Sequence, residues 1–217
     1  MQRSITKKTA ALLTSFSLIG MILLCPSPKA EAAFDLGSRI LPINNSDFEE
    51  SNDTYFEGFE NSSAGNFYLE IDENGYEGGR SPLINKTGAG HFYMTTEVDV
   101  EVSENQSYEF TYNAKMTGDD GAARQYVQID QLDANGESLG KLNSEAITGN
   151  TDGWQEYKYS FTVSAGVKSI YISLCFDTEG VTDPSGSAAA SWGNIALRSS
   201  GEAEAPEDIV IENGDFQ

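Results

Sequence analysis

"SYEFTYNAKM", residues 107–116, decides how this chain folds. Its apolar residues occupy every second position: Tyr108, Phe110, Tyr112, Ala114 and Met116 fall on one side, Glu109, Thr111, Asn113 and Lys115 on the other. A pleated strand sends successive side chains to opposite faces, so a period of two describes a strand with one buried face and one wet face, not a helix. The same pattern recurs in "EYKYSFTV" (156–163), where Tyr157, Tyr159, Phe161 and Val163 alternate with polar residues. It recurs again in "KSIYISLCF" (168–176), with Ile170, Ile172, Leu174 and Phe176 opposite Tyr171, Ser173 and Cys175. Further strands are expected at 67–71, 91–100, 124–132 and 190–197, and no ten residues after position 34 show helical spacing. "DANGESLG" (133–140) carries the Asn-Gly pair of a tight hairpin, and "SAGVK" (164–168) joins its two flanking strands closely. Many short alternating strands with glycine-rich turns predict an all-β antiparallel β-sandwich.

Outside this region the chain changes character. Arg3, Lys7 and Lys8 precede the apolar run "AALLTSFSLIGMILL" (10–24), and "KAEAA" (29–33) supplies small residues for cleavage after Ala32. This is the grammar of an export signal at 1–32, and the run is shorter than the roughly 20 residues of a membrane span. The expected product is secreted or held at the cell surface, with no membrane contact after cleavage. Residues 199–210, "SSGEAEAPEDIV", are small, acidic and proline-containing, as linkers are. Beyond them "IENGDFQ" (211–217) repeats "INNSDFE" (43–49), matching Ile211 to Ile43, Asn213 to Asn45, Asp215 to Asp47 and Phe216 to Phe48. A phrase repeated after a linker reads as the start of a second module, so the expected order is leader 1–32, sandwich 33–198, linker 199–210 and new module from 211.

The formal charge is −21, and it becomes −24 once Arg3, Lys7, Lys8, Lys29 and Glu31 leave with the leader. Such a surface repels nucleic acid and sulfated polymers and accepts a neutral or weakly charged ligand. Only Cys175 remains after leader removal, so no internal disulfide is expected, and its place in an apolar strand reads as packing. His91 is the only histidine, which excludes a histidine-built metal cluster. No nucleophile-elbow motif accompanies it, so no catalytic residue is assigned. His91 itself reads as a surface or strand-end residue.

Four segments carry a family resemblance: the opening at 45–49, "VSENQSYEFTYNAKM" (102–116), "DGWQEYKYSFTVSAGVKSIYISL" (152–174) and "SWGNIAL" (191–197). Together, over roughly residues 39–198, the chain resembles carbohydrate-binding modules of the family 4/9 and family 22 kind. That resemblance implies a jelly roll related to galactose-binding-like domains. It also implies a structural calcium ion, to which Glu49 corresponds in the first strand. Gly193 and Asn194 stand where the family has paired aspartates, so of the two only Asn194 brings a side-chain oxygen to such a site.

Sugars present apolar C–H faces and hydroxyl edges, so a site for them pairs aromatic rings with amides, hydroxyls and carboxylates. Parity places Tyr126, Gln128 and Asp130 opposite Val127 and Ile129, Tyr171 opposite its isoleucines, and Asn113 in a third polar row. Trp192 shares parity with Asn194, opposite Ile195 and Leu197, and is expected as an outward platform. Trp154 is expected in the core. Arg80 and Arg124 are candidate hydrogen-bond donors. The ligand-binding set is therefore Tyr126, Gln128, Tyr171, Trp192, Asn113 and Arg124, with Glu49 and Asn194 for calcium. The expected function is a non-catalytic polysaccharide-binding module that partners a neutral or weakly charged glycan and covalently attached downstream modules. The alternatives are a ligand-free adhesive spacer and the leading fragment of a glycoside hydrolase or polysaccharide lyase.

Overall fold

A strand with one apolar side needs a second apolar face to close against, and here two sheets supply it to each other. The computed structural model describes residues 39–52, 55–65, 67–86, 88–118, 123–178 and 188–200. The expected leader, the repeated phrase at 211–217 and all of the linker beyond Ser200 lie outside them. The strands are β1 (Ile40–Leu41), β2 (Ser51–Asn52), β3 (Tyr55–Phe56), β4 (Phe59–Ala64), β5 (Phe67–Asp72), β6 (Ser81–Lys86), β7 (His91–Thr96) and β8 (Val100–Glu101). There follow β9 (Ser107–Thr117), β10 (Arg124–Leu132), β11 (Ser138–Asn143), β12 (Ile147–Thr148), β13 (Gln155–Thr162), β14 (Ser169–Asp177) and β15 (Ala189–Ser199). One sheet runs β13-β9-β15-β6-β5 with β1 beside β15. The other runs β11-β10-β14-β7-β4, with β12 beside β10 and β8 beside β14. Every pairing is antiparallel. The chain is the expected all-β sandwich.

The core is the layer between the sheets. Phe110, Tyr112, Ala114 and Met116 of β9 and Ala190, Trp192, Ile195 and Leu197 of β15 enter it from one side. Val127 and Ile129 of β10, Ile170, Ile172, Leu174 and Phe176 of β14, and Phe92 and Met94 of β7 enter from the other. All are buried, each large side chain contributing roughly 1.5–3 kcal/mol.

The strand at 124–132 lies where its alternation predicts, and those at 107–116, 156–163 and 168–176 within a residue or two. The 91–100 strand is broken after Thr96, where Glu97, Val98 and Asp99 are exposed, and resumes as β8. Strands β4 and β11 escape pattern reading for one reason. Each closes an edge of its sheet, its residues are nearly all polar or exposed, and no apolar period marks it. The 133–140 segment does form a hairpin between β10 and β11, its turn closed by Asp133 N–H to Glu137 O at 2.9 Å. Gly136 takes the positive φ of 79° there, which glycine adopts without steric cost. The 164–168 turn is different: β13 and β14 lie in separate sheets, so it carries the chain across the sandwich. The last strand continues to Ser199, one residue past the expected module end.

The opening phrase at 43–49 works as a plug. Phe48 is fully buried, its ring edge-on to Phe56 at 5.8 Å and tilted against Phe59 at 5.5 Å. Asn45 holds the loop around it: its amide donates to Glu50 O (2.7 Å) and Glu57 O (3.0 Å), and its carbonyl accepts from Glu50 N (2.9 Å). Its φ is 51°, a left-handed value that asparagine tolerates better than most residues. Asn45→Ala is therefore expected to lower unfolding free energy by about 2–4 kcal/mol, from lost bonds to buried backbone and a disfavoured φ. A denaturant midpoint unchanged from the parent would contradict this role.

Candidate functional site

Because β10, β14, β7 and β4 are neighbours in one sheet, residues in register across them form rows on its outward face. One row runs Arg124, Asp177, His91, Ala64; the next runs Tyr126, Cys175, Tyr93, Ser62. A third has Asn143, Gln128, Ser173, Thr95 and Glu60, and a fourth Lys141, Asp130 and Tyr171.

The second row makes the centre of the site. Tyr126 and Tyr93 flank the small Cys175 and share a hydrogen bond over it. Burial pushes the Tyr126 hydroxyl well above its ordinary pKa, helped by the neighbouring Cys175 and Tyr93 groups. Burial likewise raises the Cys175 thiol, which is fully covered and contacts Ser173 O at 3.4 Å. The thiol is a floor, not a nucleophile. The His91 ring lies 5.0 Å from that of Tyr93, so three half-buried rings make a continuous strip across β10, β14 and β7. Polar groups flank the strip and are already paired. Gln128 donates to Asn143 Oδ1 (3.0 Å) and accepts from Lys141 Nζ (3.1 Å), Lys141 lies 3.6 Å from Asp130 Oδ2, and Ser138 donates to Asp130. Thr95 and Ser173 hydroxyls are 2.8 Å apart. Side chains held in place before a ligand arrives lose little entropy on binding.

The sequence-predicted residues divide three ways. Tyr126, Gln128 and Arg124 share this face, with Arg124 exposed in the outermost row. Tyr171 is on the same face but pairs with Asp130, four residues from Tyr126, or about 13 Å along the strand. It therefore sits at the far end, separate from the ring strip. Trp192 and Asn113 are corrections. Both belong to the other sheet, Trp192 is fully buried in the core, and Asn113 is 8% exposed on that sheet's opposite side. The parity argument for Trp192 fails because β15 carries an extra residue. Gly193 pairs with Asn113 and Ala196 with Thr111, three steps against two, and Asn194 absorbs the difference with φ 46°. A bulge reverses the alternation, so Trp192 and Ile195 both point inward. Trp154 is half-buried and not in the core, with its ring 5.5 Å from that of Tyr76. Arg80 is tied up, its guanidinium bonded to Glu73 and to Ser51.

His91 and Tyr93 were missed as site residues. The signal was present: in "HFYMTT" the inward residues are Phe92, Met94 and Thr96, which leaves His91, Tyr93 and Thr95 outward by the same period of two. Of the calcium candidates, Glu49 Oε1 accepts Arg80 N–H at 2.9 Å, and Asn194 is exposed at the bulge. No group of three or more His, Cys, Asp or Glu side chains stands together among the described residues.

Cysteine chemistry reads the roof directly. In a Cys25→Ser background, Cys175 is expected to resist a thiol reagent in the native state. Tyr126→Ala is expected to speed labelling by an order of magnitude or more, by uncovering the sulfur. Equal rates in the two proteins would show that the tyrosines do not shield it.

Comparison with known proteins follows the same lines. The profile of a family described as a carbohydrate binding domain matches residues 42–180. No curated protein matches the chain. Among solved structures, the chain is similar to the enzymatically active domain of tailspike protein 4 from bacteriophage CBA120, with TM-score 0.55 and 14% identity, covering 73% of this chain and 21% of that one. An arabinose-bound α-L-arabinofuranosidase gives TM-score 0.53 and 13% identity over 74% of this chain and 26% of the other. The tandem CBM22-1–CBM22-2 domain of Xyn10C from Paenibacillus barcinonensis gives 0.50 and 17%, over 80% and 48%. At these identities the likeness is one of fold, and the chain spans about a fifth to a half of those proteins' lengths.

Proposed function

The chain belongs to the carbohydrate binding domain family, and from that premise we propose that it is a non-catalytic module holding a neutral glycan on the outward face of the seven-stranded sheet. The observation that carries the reading is the ring strip of Tyr126, Tyr93 and His91, half-exposed on a face otherwise made of paired amides, hydroxyls and carboxylates. Aromatic rings meet sugar C–H faces, while Gln128, Asn143 and Arg124 offer hydrogen bonds to hydroxyl edges. Tyr171 extends the face toward Asp130 and serves a longer chain. Negative groups at Asp177, Asp130 and Glu60, on a chain of net charge −21, disfavour uronic and sulfated polymers. The same strip speaks against the spacer alternative, since a spacer has no use for a half-buried aromatic row. Enzymes among the similar structures match through a small fraction of their length, in keeping with a module that leaves catalysis to attached domains. The proposal includes export, with cleavage near Ala32, and a second module opening at residue 211 after an acidic linker.

Affinity electrophoresis or calorimetry on a panel of neutral polysaccharides is expected to show binding that hardly changes with salt. Tyr126→Ala and Tyr93→Ala should each weaken it about tenfold, or roughly 1.4 kcal/mol, and Tyr126→Ala with Tyr171→Ala should abolish it. Retention on no neutral polysaccharide, or binding that collapses with salt, would defeat the reading.

A further inference from the structure

The resemblance places a metal ion at Glu49 and Asn194, with Gly193 beside it; the loop at residues 73–80 lies against Glu49 and Gly193, and the residues present do not accommodate an ion. Calcium takes six to eight oxygens. Of the two residues corresponding to the family's aspartates, Gly193 has no side chain, and the space beside it is filled: a Cβ there would stand 2.4 Å from Tyr76 Cβ and 2.8 Å from its Cγ. Contacts that short do not occur between ordinary side chains, so the Tyr76 ring is seated on bare backbone. Glu49, the carboxylate that the resemblance assigns to the ion, lies against Gly79 and accepts the Arg80 N–H. Two of the loop's carbonyls already accept from its own amides: Gly79 O from Gly75 N at 2.8 Å and Tyr76 O from Gly79 N at 3.0 Å.

From this arrangement we propose that an aromatic clasp replaces the ion. The clasp begins at Gly193 in β15 and passes through Tyr76 in the loop to Trp154 before β13, whose ring is edge-on to Tyr76 at 5.5 Å and 76°. It ends at Lys115 in β9, with its ammonium 5.9 Å from the Trp154 centroid, within reach of a cation–π contact. Three neighbouring strands of one sheet thereby hold the loop. On its other side Arg80 supplies a positive charge of the protein's own, bonded to Glu73 Oε2 (3.1 Å), Ser51 O (3.2 Å) and Ser51 Oγ (3.2 Å). A covalently tethered cation and a ring on glycine do the fastening that a bound ion would otherwise do. The fold is then indifferent to calcium.

The test is thermal unfolding of the full chain in excess EDTA and in excess calcium chloride. The expected result is one Tm in both. With calcium at a hundredfold excess over Kd, a native state that binds it would instead show a Tm higher by roughly 5–10 °C, and that rise would overturn the proposal. Gly193→Ala and Tyr76→Ala should each lower Tm by several degrees in both solutions, whereas Tyr76→Phe, which keeps the ring, should match the parent. A parental Tm in Tyr76→Ala would equally sink the clasp. If the alanine variants fail to fold, the parent and Tyr76→Phe measured with and without calcium still decide the matter.

Discussion

The dry layer between β9–β15 and β10–β14 is the interaction on which the remainder of the molecule rests. Neither sheet has a second apolar face, so each is stable only while the other covers it. The rings of Tyr108, Phe110, Tyr112, Trp192 and Phe176 meet a row of branched aliphatics there, and the turns at 133–137 and 164–168 hold the strands in register and carry the chain between layers. An irregularity is built into this layer where β15 pairs with β9, at Gly193 and Asn194. The extra residue turns Trp192 into the core opposite the small Ala114. In the same movement it presents the bare Gly193 backbone on the other side, where Tyr76 lies. One inserted residue thus fills the interior and anchors an exterior loop.

With the inner faces committed to each other, the outward faces are free to differ. On the six-stranded sheet the 73–80 loop and Trp154 cover part of the surface. On the seven-stranded sheet the small Cys175 lies between two tyrosines and lets them bridge over it. That bridge matters because a lone exposed tyrosine swings, whereas one bonded to its neighbour presents a fixed ring. The paired Gln128, Asn143, Lys141 and Asp130 groups impose the same rigidity on the polar flank. An aromatic strip bordered by pre-aligned polar groups is the arrangement on which the proposed glycan reading rests.

Much of this was legible in the chain itself. Alternation located the long central strands to within a residue or two, as at 107–117 and 124–132, because a strand buried on one face must repeat every second residue. It also put Tyr126, Gln128 and Arg124 on the outward side of their strand, and the same rule does so for His91 and Tyr93. It failed where that rule has no purchase. Edge strands β4 and β11 bury too little to show a period. Asn113 has the right parity but the wrong sheet, since parity says which side of a strand a residue occupies and nothing about which strands are neighbours.

What the sequence determined alone was the local part: strand identity, turn chemistry and the acidic surface, all consequences of residues a few positions apart. Tertiary structure decided the rest. Only the packing of strands distant in sequence could set Tyr93 against Tyr126, separate Asn113 from both, and seat Tyr76 on Gly193. Only the bulge, which shows itself when β15 is laid against β9, could reverse the direction of Trp192. Those outcomes depend on registers between strands, and register is a property of two segments meeting, which neither segment encodes by itself.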